Sequence, residues 1–310
     1  MAYRINGDRK YPKVDRKHGE ILGIKISITS KPEVLEFVNS RLDSGDKFYI
    51  VTPNPENLLI ATKDWLLQKA IRRSDLSVPD GIGLAQAFKF LKHKDNKSDL
   101  LRFFKIFGQG LYVGYMTLAN KEYLTEDLPI IKGRELFLDI IKIADERKLR
   151  VYLFGGEFGE QVKAKEVLEK TYKNVILKTN HQFPQYNKNC KPIDLINRKL
   201  HKAVIGSIKL FEPDLIFVAM NTPKQEKWIY RNFFRLPKTI GAMAVGGTFN
   251  YVAGNMKFPP MWMEKLGLEW VWRLIQEPMR IKRILNAFPI FPLRVFLWKL
   301  RSETTRTSRK

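Results

Sequence analysis

The stretch RELFLDIIKIADERKLRVYLFGGEFGEQVKAKEVLEKTYKNVILK (134–178) decides the fold class. Its first part repeats apolar residues at helical spacing over 134–147. RVYLFGG (150–156) is then a β-branched and aromatic run ending in two glycines. A second helical pattern (159–171) and a second apolar run, NVILK (174–178), repeat the unit. Single helices between short buried strands are what a parallel sheet requires, because parallel neighbours can be joined only by a crossover.

The same alternation continues outward. Toward the C-terminus a helical pattern over 193–205 precedes DLIFVAM (214–220), and KQEKWIYRNFF (224–234) precedes TIGAMAVGG (239–247). Toward the N-terminus, ILGIKISIT (21–29) alternates like a strand, and Pro32 opens a helical run that Gly45 stops. KFYIVT (47–52) predicts a strand, NLLIATKDWLLQKAI (57–71) a helix, LSVP (76–79) a short buried strand and GIGLAQAFKFL (81–91) a helix. The expected fold is α/β, a Rossmann-like, mostly parallel sheet covered by helices on both faces. Ligands in such folds bind at the carboxyl ends of the strands. Those ends are TPNPEN (52–57), PDGIG (79–83), GGEFGE (155–160), NTPKQE (221–226) and GGTFN (246–250). Each could be a simple turn; five on one rim point to a site.

Three segments stand outside this rhythm. A polar leader covers 1–20, and the α/β domain spans 21–260. Within it, 92–131 is an insertion, lid or surface hairpin that opens on a charge cluster and continues as FFKIFGQGLYVGYM (103–116). Residues 261–310 form a basic helical appendage with four of the six tryptophans and eleven Lys/Arg against four Asp/Glu. Its aromatics suit either a membrane surface or the completion of a core.

With 55 Lys+Arg against 32 Asp+Glu the net charge is +23, so an anionic partner is expected: nucleic acid, membrane surface or phosphorylated substrate. An apolar fraction of 44% with 20 Phe excludes a disordered polyelectrolyte. The single cysteine, Cys190, excludes a disulfide framework and fits a reducing compartment. The first twenty residues do not read as a signal peptide, and no apolar run reaches 18 residues, so a cytoplasmic chain without a spanning helix is expected.

Common phosphate-binding signatures fail: there is no GxxxxGK[ST] loop, and GIGLAQ lacks the third glycine of a dinucleotide fingerprint. His18, His93, His181 and His201 are scattered singly, and no Asp-x-Asp pair occurs, so neither a metal nor a cofactor is expected. A pyrophosphate would have to be neutralised by Arg, Lys and backbone N–H groups. Asp80, between Pro79 and Gly81 where a strand turns into a helix, is the best acid/base candidate; the alternative is a helix N-cap. Arg273, Arg280 and Arg283 fall on one side of a helix if it is continuous, and could clamp a diphosphate. The alternatives are a solvated basic face, and a stripe interrupted at Pro278.

Taken together, these residues resemble the WecG/TagA/CpsF family of bacterial glycosyltransferases (glycosyltransferase family 26). The resemblance is carried by Thr52 and Asn54 in VTPNPEN, the PDGIG turn, KGRELF (132–137), the FGG turn (154–156), TPKQEKWI (222–229), AVGGTFNYVAG (244–254) and GLEWVWRLIQEPMR-x-x-R (267–283). It implies a metal-independent, inverting transferase that moves a sugar, N-acetylmannosamine or a related hexose, from a UDP-sugar to a polyprenyl-diphosphate-linked sugar. The setting would be cell-surface polysaccharide synthesis at the cytoplasmic membrane face. It also implies that Asp80 is the general base. Thr52, Asn54, Gly81, Lys132, Gly155, Gly156, Gln225, Glu226 and Gly247 would line the substrate site, and Arg273, Arg280 and Arg283 would hold the lipid diphosphate. The implied partners are the UDP-sugar, the lipid-linked acceptor and an anionic membrane surface, not nucleic acid; self-association is left open. Departures from the family pattern fall at Lys132, Glu135, Asn221, Asn250 and KFPP (257–260), and leave the donor sugar open. Two rival readings are a catalytically inactive subunit of a polysaccharide-synthesis complex and a basic nucleic-acid-binding protein. No helix-turn-helix, RRM or zinc signature supports the second.

Overall fold

The computed structural model describes residues 17–94, 99–156, 159–266 and 269–302. Most of the leader therefore lies outside the described residues, as do Glu157 and Phe158 of the GGEFGE loop and the side chains of Trp270 and Arg280.

The expected strand at 21–29 is instead a two-stranded hairpin, β1 (His18–Ile21) against β2 (Ile24–Ser27). Leu22 and Gly23 both take positive φ, 54° and 79°, which is the geometry a two-residue hairpin turn demands. Helix α1 (Lys31–Ser44) opens on a reciprocal Ser30–Glu33 capping box and stops at Gly45. Strand β3 (Phe48–Val51) follows. The single helix expected over 57–71 is divided into α2 (Pro55–Ala61) and α3 (Trp65–Arg72), because Asp64 accepts from Leu67 N at 3.1 Å and starts a new helix. Next come β4 (Leu76–Ser77), α4 (Ile82–Lys92), α5 (Asp99–Ala119), α6 (Lys121–Thr125) and α7 (Gly133–Glu146). The described part of the segment 92–131 is thus largely helical, through α5 and α6. The expected rhythm continues through β5 (Arg150–Gly155), α8 (Glu160–Thr171), β6 (Ile176–Thr179), α9 (Leu195–Phe211), β7 (Leu215–Ala219), α10 (Lys224–Asn232) and β8 (Gly241–Ala244). The chain then turns through α11 (Thr248–Val252), α12 (Met261–Leu266), α13 (Glu269–Gln276), α14 (Ile281–Leu285) and α15 (Phe291–Ser302).

β4-β3-β8-β7-β5-β6 form one six-stranded sheet in which every pairing is parallel. Alternate residues of each strand feed two cores. Tyr49, Val51, Tyr152, Phe154, Ile216 and Val218 face one; Phe48, Ile50, Val151, Leu153, Leu215 and Phe217 face the other. The first core also takes in Phe291 and Val295 of α15. Lys299, on the same helix, is buried with its ammonium donating to Phe90 O (2.7 Å), His93 O (2.8 Å) and Gln109 Oε1 (2.8 Å). The end of the appendage therefore completes a core with one face and leaves Leu293 and Trp298 exposed on the other. The core reading holds for Phe291, and other aromatics of the appendage remain exposed.

Candidate active site

The carboxyl ends of β3, β4 and β8 meet at Asp80. Three backbone bonds pin the segment that carries it: Val78 N to Val51 O (2.9 Å), Asp80 N to Pro53 O (2.9 Å) and Ile131 N to Pro79 O (3.1 Å). Asp80 is not the cap of α4. That position is Gly81, at φ 98°, and no side chain bonds the helix start. The carboxyl instead faces across to the first residue of α7. The Gly133 N–H hydrogen-bonds it, and a Cβ at Gly133 would lie 3.5 Å from Asp80 Oδ2 and 3.2 Å from Thr52 Oγ1. Thr52 donates to Ala244 O at 3.3 Å, joining β3 to β8 beneath the site.

Charges of both signs surround this carboxyl. Burial pushes Asp80 above the usual carboxylate range; Arg273, the Gly133 N–H and Arg134 oppose that rise, and Glu269 adds to it. Glu269 is held by Lys132 (2.8 Å) and Arg134 (3.2 Å). Burial works against its charge, but the hydrogen bond from Lys132 and the field of Arg134 keep it below the usual range. Tyr251 organises the two arginines: the Arg134 and Arg273 guanidiniums lie 5.5 and 5.4 Å from its ring centroid. Phe258 stacks on the same ring at 5.4 Å, and the Tyr251 hydroxyl is buried with no hydrogen-bond partner. The result is a recessed carboxyl beside a helix N-terminus, bordered by Lys132, Arg134 and Arg273. Such a recess can deprotonate a hydroxyl next to a group bearing phosphate charge.

The arginine stripe is not continuous. Arg273 lies in α13, Arg280 in a 3₁₀ turn begun by Pro278, and Arg283 in α14. Pro278 divides them because it cannot donate the helix bond. Arg283 reaches the rim differently, donating to Asn221 Oδ1 at 2.8 Å with Glu56 at 3.8 Å. The Arg280 side chain lies outside the described residues.

Several other residues expected to line the site sit below the rim. Gln225 accepts from Gly246 N (2.8 Å) and Met220 N (3.4 Å) and donates to Glu226 (2.9 Å), so it ties the ends of β7 and β8 together. Glu226 is fully buried, accepting also from Asn57 Nδ2 (3.3 Å) and Thr222 Oγ1 (3.4 Å), with Oε2 unpartnered. Asn54 caps α2 through Asn57 N at 3.0 Å. Gly155 is required by packing: a Cβ there would come within 2.1 Å of Ala219 O, the same oxygen that accepts from Gly156 N. Gly247 sits at the start of α11. Among the described residues, no three His, Cys, Asp or Glu side chains gather as a metal site.

This architecture has a counterpart among known proteins. The family model described as glycosyl transferase WecG/TagA/CpsF family matches residues 19–104 and 112–305. The chain belongs to that family. The expected class, a hexosyltransferase, stands with it. Among similar curated proteins are the N-acetylglucosaminyldiphosphoundecaprenol N-acetyl-beta-D-mannosaminyltransferases of Staphylococcus aureus strains MW2 and NCTC 8325 / PS 47. Each is 29% identical over 278 residues, 89% of this chain and 91% of its own length. The enzyme of the same name from strain MRSA252 is 29% identical over 280 residues.

Three residues of this transferase's recess escaped the sequence reading. Arg134 lies inside the quoted KGRELF, two residues after Lys132, the one position of that motif named for the site. Glu269 and Tyr251 likewise fall inside quoted motifs. Nothing in one dimension shows that Tyr251 would stand between two arginines 139 positions apart in number (134 and 273).

Proposed function

We propose that this family member transfers an N-acetylmannosamine-type hexose from a UDP-sugar to a polyprenyl-diphosphate-linked sugar, with inversion and without a metal ion. The observation that carries the reading is the Asp80 recess. The Asp80 carboxyl is raised by burial and faces Arg134, Arg273 and the Gly133 N–H, while the recess's other carboxylate, Glu269, is engaged by Lys132 and Arg134. Asp80 takes the proton of the acceptor hydroxyl as that oxygen attacks the anomeric carbon, and the bond to the UDP phosphate breaks on the opposite face. One base with no second carboxylate acting as nucleophile gives a single displacement, hence inversion. Arg273 and Arg134 stabilise the departing diphosphate charge, the role a divalent cation plays elsewhere. Arg283, and Arg280 by its place in the sequence, hold the lipid diphosphate. The names of the Staphylococcus aureus relatives support a lipid-diphosphate acceptor and an N-acetylmannosaminyl donor.

No helix among the described residues is long and apolar enough to cross a membrane. On this reading the enzyme meets a lipid-linked acceptor from the surface, as a peripheral protein of the inner membrane face, which the undecaprenol-linked acceptor in the relatives' names supports. The test is a screen of UDP-sugars against an undecaprenyl-diphosphate-linked N-acetylglucosamine, scoring UDP release and product together. A β-linked disaccharide from an α-linked donor is the expected product. UDP release without a disaccharide, or no turnover of any donor, would sink the proposal.

A further inference from the structure

Helix α5 carries an apolar face that the fold leaves open. Its inner side is core: Ile106 and Val113 are buried, Arg102 donates to Lys299 O at 3.2 Å, and Thr117 accepts from Gln86 at 2.6 Å. On the opposite side Leu101, Phe104, Leu111 and Tyr115 are each between 58% and 68% exposed. Their spacing of three, seven and four keeps them on one stripe. A solvent-facing helix side is normally polar, and a contiguous apolar one marks an interaction surface. Beside the stripe, Phe103 meets Phe296 of α15 edge-on at 5.8 Å, and Phe288 and Leu293 of the C-terminal segment are exposed as well.

The charges decide what covers it. Helix α5 carries one exposed cation, Lys105, and one carboxylate, Asp99 at its start; residues 278–302 carry exposed Lys282, Arg294 and Arg301 and no carboxylate, while Arg102 and Lys299 are buried. A second copy of the chain would bring like charges together on this surface. An anionic bilayer would receive both its apolar side chains and its cations. The family match omits 105–111, which holds Leu111 and Lys105, and covers Leu101, Phe104 and Tyr115.

We propose that α5 is a second membrane contact, seated on an anionic bilayer together with the outer face of α14 and α15. The proposal rests on the lipid-linked acceptor assigned above. It gives the 92–131 insertion a role: α5 lies along the headgroup layer, and the chain leaving it returns through α6 to Gly133 beside Asp80. The rim is thereby held where a lipid diphosphate resides.

The test is sedimentation of the full chain with phosphatidylglycerol/phosphatidylcholine vesicles and with pure phosphatidylcholine vesicles. A triple variant, Leu101→Gln, Phe104→Gln and Leu111→Gln, is compared with wild type. All three sites are exposed, so an unchanged melting temperature is expected, with at least tenfold weaker binding to the anionic vesicles. Lys105→Glu, a single surface change, should weaken binding to anionic vesicles and leave neutral ones unaffected. Turnover on a short-chain, water-soluble acceptor should match wild type in both. Vesicle binding unchanged in both variants overturns the proposal. So does a wild-type dimer in solution that the triple variant dissociates while vesicle binding persists. Absence of turnover on the soluble acceptor in every protein counts against the transferase reading alone, since vesicle binding is read independently of it.

Discussion

Gly133 abuts Asp80: a Cβ there would touch the carboxyl, 3.5 Å from Oδ2, and press on Thr52 Oγ1 at 3.2 Å. The start of the 14-residue α7 is thus aimed at the proposed base, and its N–H and dipole favour the charged form that burial disfavours. If this balance sets the base, Asp80→Asn should cut turnover by roughly 10²–10⁴-fold. UDP binding, measured by calorimetry, should change little. The wild-type rate should also fall on acidification at a pH above the ordinary carboxylate value near 4. Turnover of the variant within a few-fold of wild type removes Asp80 from the chemistry.

Tyr251 should act through the arginines it holds. Stacked guanidiniums are worth ~0.5–2 kcal/mol each, so Tyr251→Leu should lower kcat/KM by about tenfold or more. Tyr251→Phe keeps the ring and loses only a hydroxyl without a partner, and should remain close to wild type. A looser Arg273 also opposes the rise at Asp80 less, so the acid limb of the leucine variant should move to higher pH. An unmoved limb with normal kcat/KM would confine Tyr251 to packing.

The parallel sheet was legible because its strands are buried on both faces and read as short apolar runs between helices. The place of Asp80 at the sheet rim was legible because it follows a short strand and precedes a helix; its role as base came from the family resemblance. The division at Asp64 was not: the apolar period runs across 57–71, and only the cap bond to Leu67 N shows that a new helix starts. Gln225 and Glu226 were expected in the pocket on the family resemblance alone, and no signal in the sequence shows which way their side chains turn. Here four hydrogen-bond partners draw Glu226 and Gln225 inward: Gly246, Met220, Asn57 and Thr222. The open face of α5 was hidden for the opposite reason, since an apolar period alone does not tell a buried face from an exposed one.

Glu226 should make stability fall as pH rises. Burial pushes its carboxyl above the usual range, so the native state holds a proton that the unfolded chain has already released. Native protein then binds more protons than unfolded, and stability declines from the unfolded value near 4 up to the folded one. Glu226→Gln keeps an oxygen for Asn57 and Thr222 and cannot ionise. The melting temperature of the variant minus that of wild type should therefore increase as the pH is raised from 5 to 9. A difference that stays flat places the Glu226 carboxyl in the ordinary range.

Arg134 and Arg273, not a divalent cation, carry the proposed stabilisation of UDP. Turnover should consequently survive EDTA within a factor of about two, and Arg273→Gln should lower kcat by roughly 10²-fold or more. Loss of activity in EDTA that magnesium or manganese restores would reveal a metal site and overturn this assignment.

Removing the chain from residue 284 onward should destabilise the protein, not simply free it from the membrane. Phe291 and Val295 are each about 1% exposed, and burying such side chains stabilises by ~1.5–3 kcal/mol apiece. Lys299 adds three hydrogen bonds that bind α15 to the end of α4 and to α5. A charged donor in such bonds contributes ~1.5–3 kcal/mol each, so Lys299→Met should cost several kcal/mol in denaturant unfolding. The same substitution has a local readout. Burial, then Lys299 and Lys89, hold the His93 imidazole below its ordinary range. With the ammonium gone, NMR titration should find His93 protonating at higher pH. A truncated chain that melts with wild type, together with an unmoved His93 in Lys299→Met, would show that α15 does not close the core and would leave the appendage to the membrane alone.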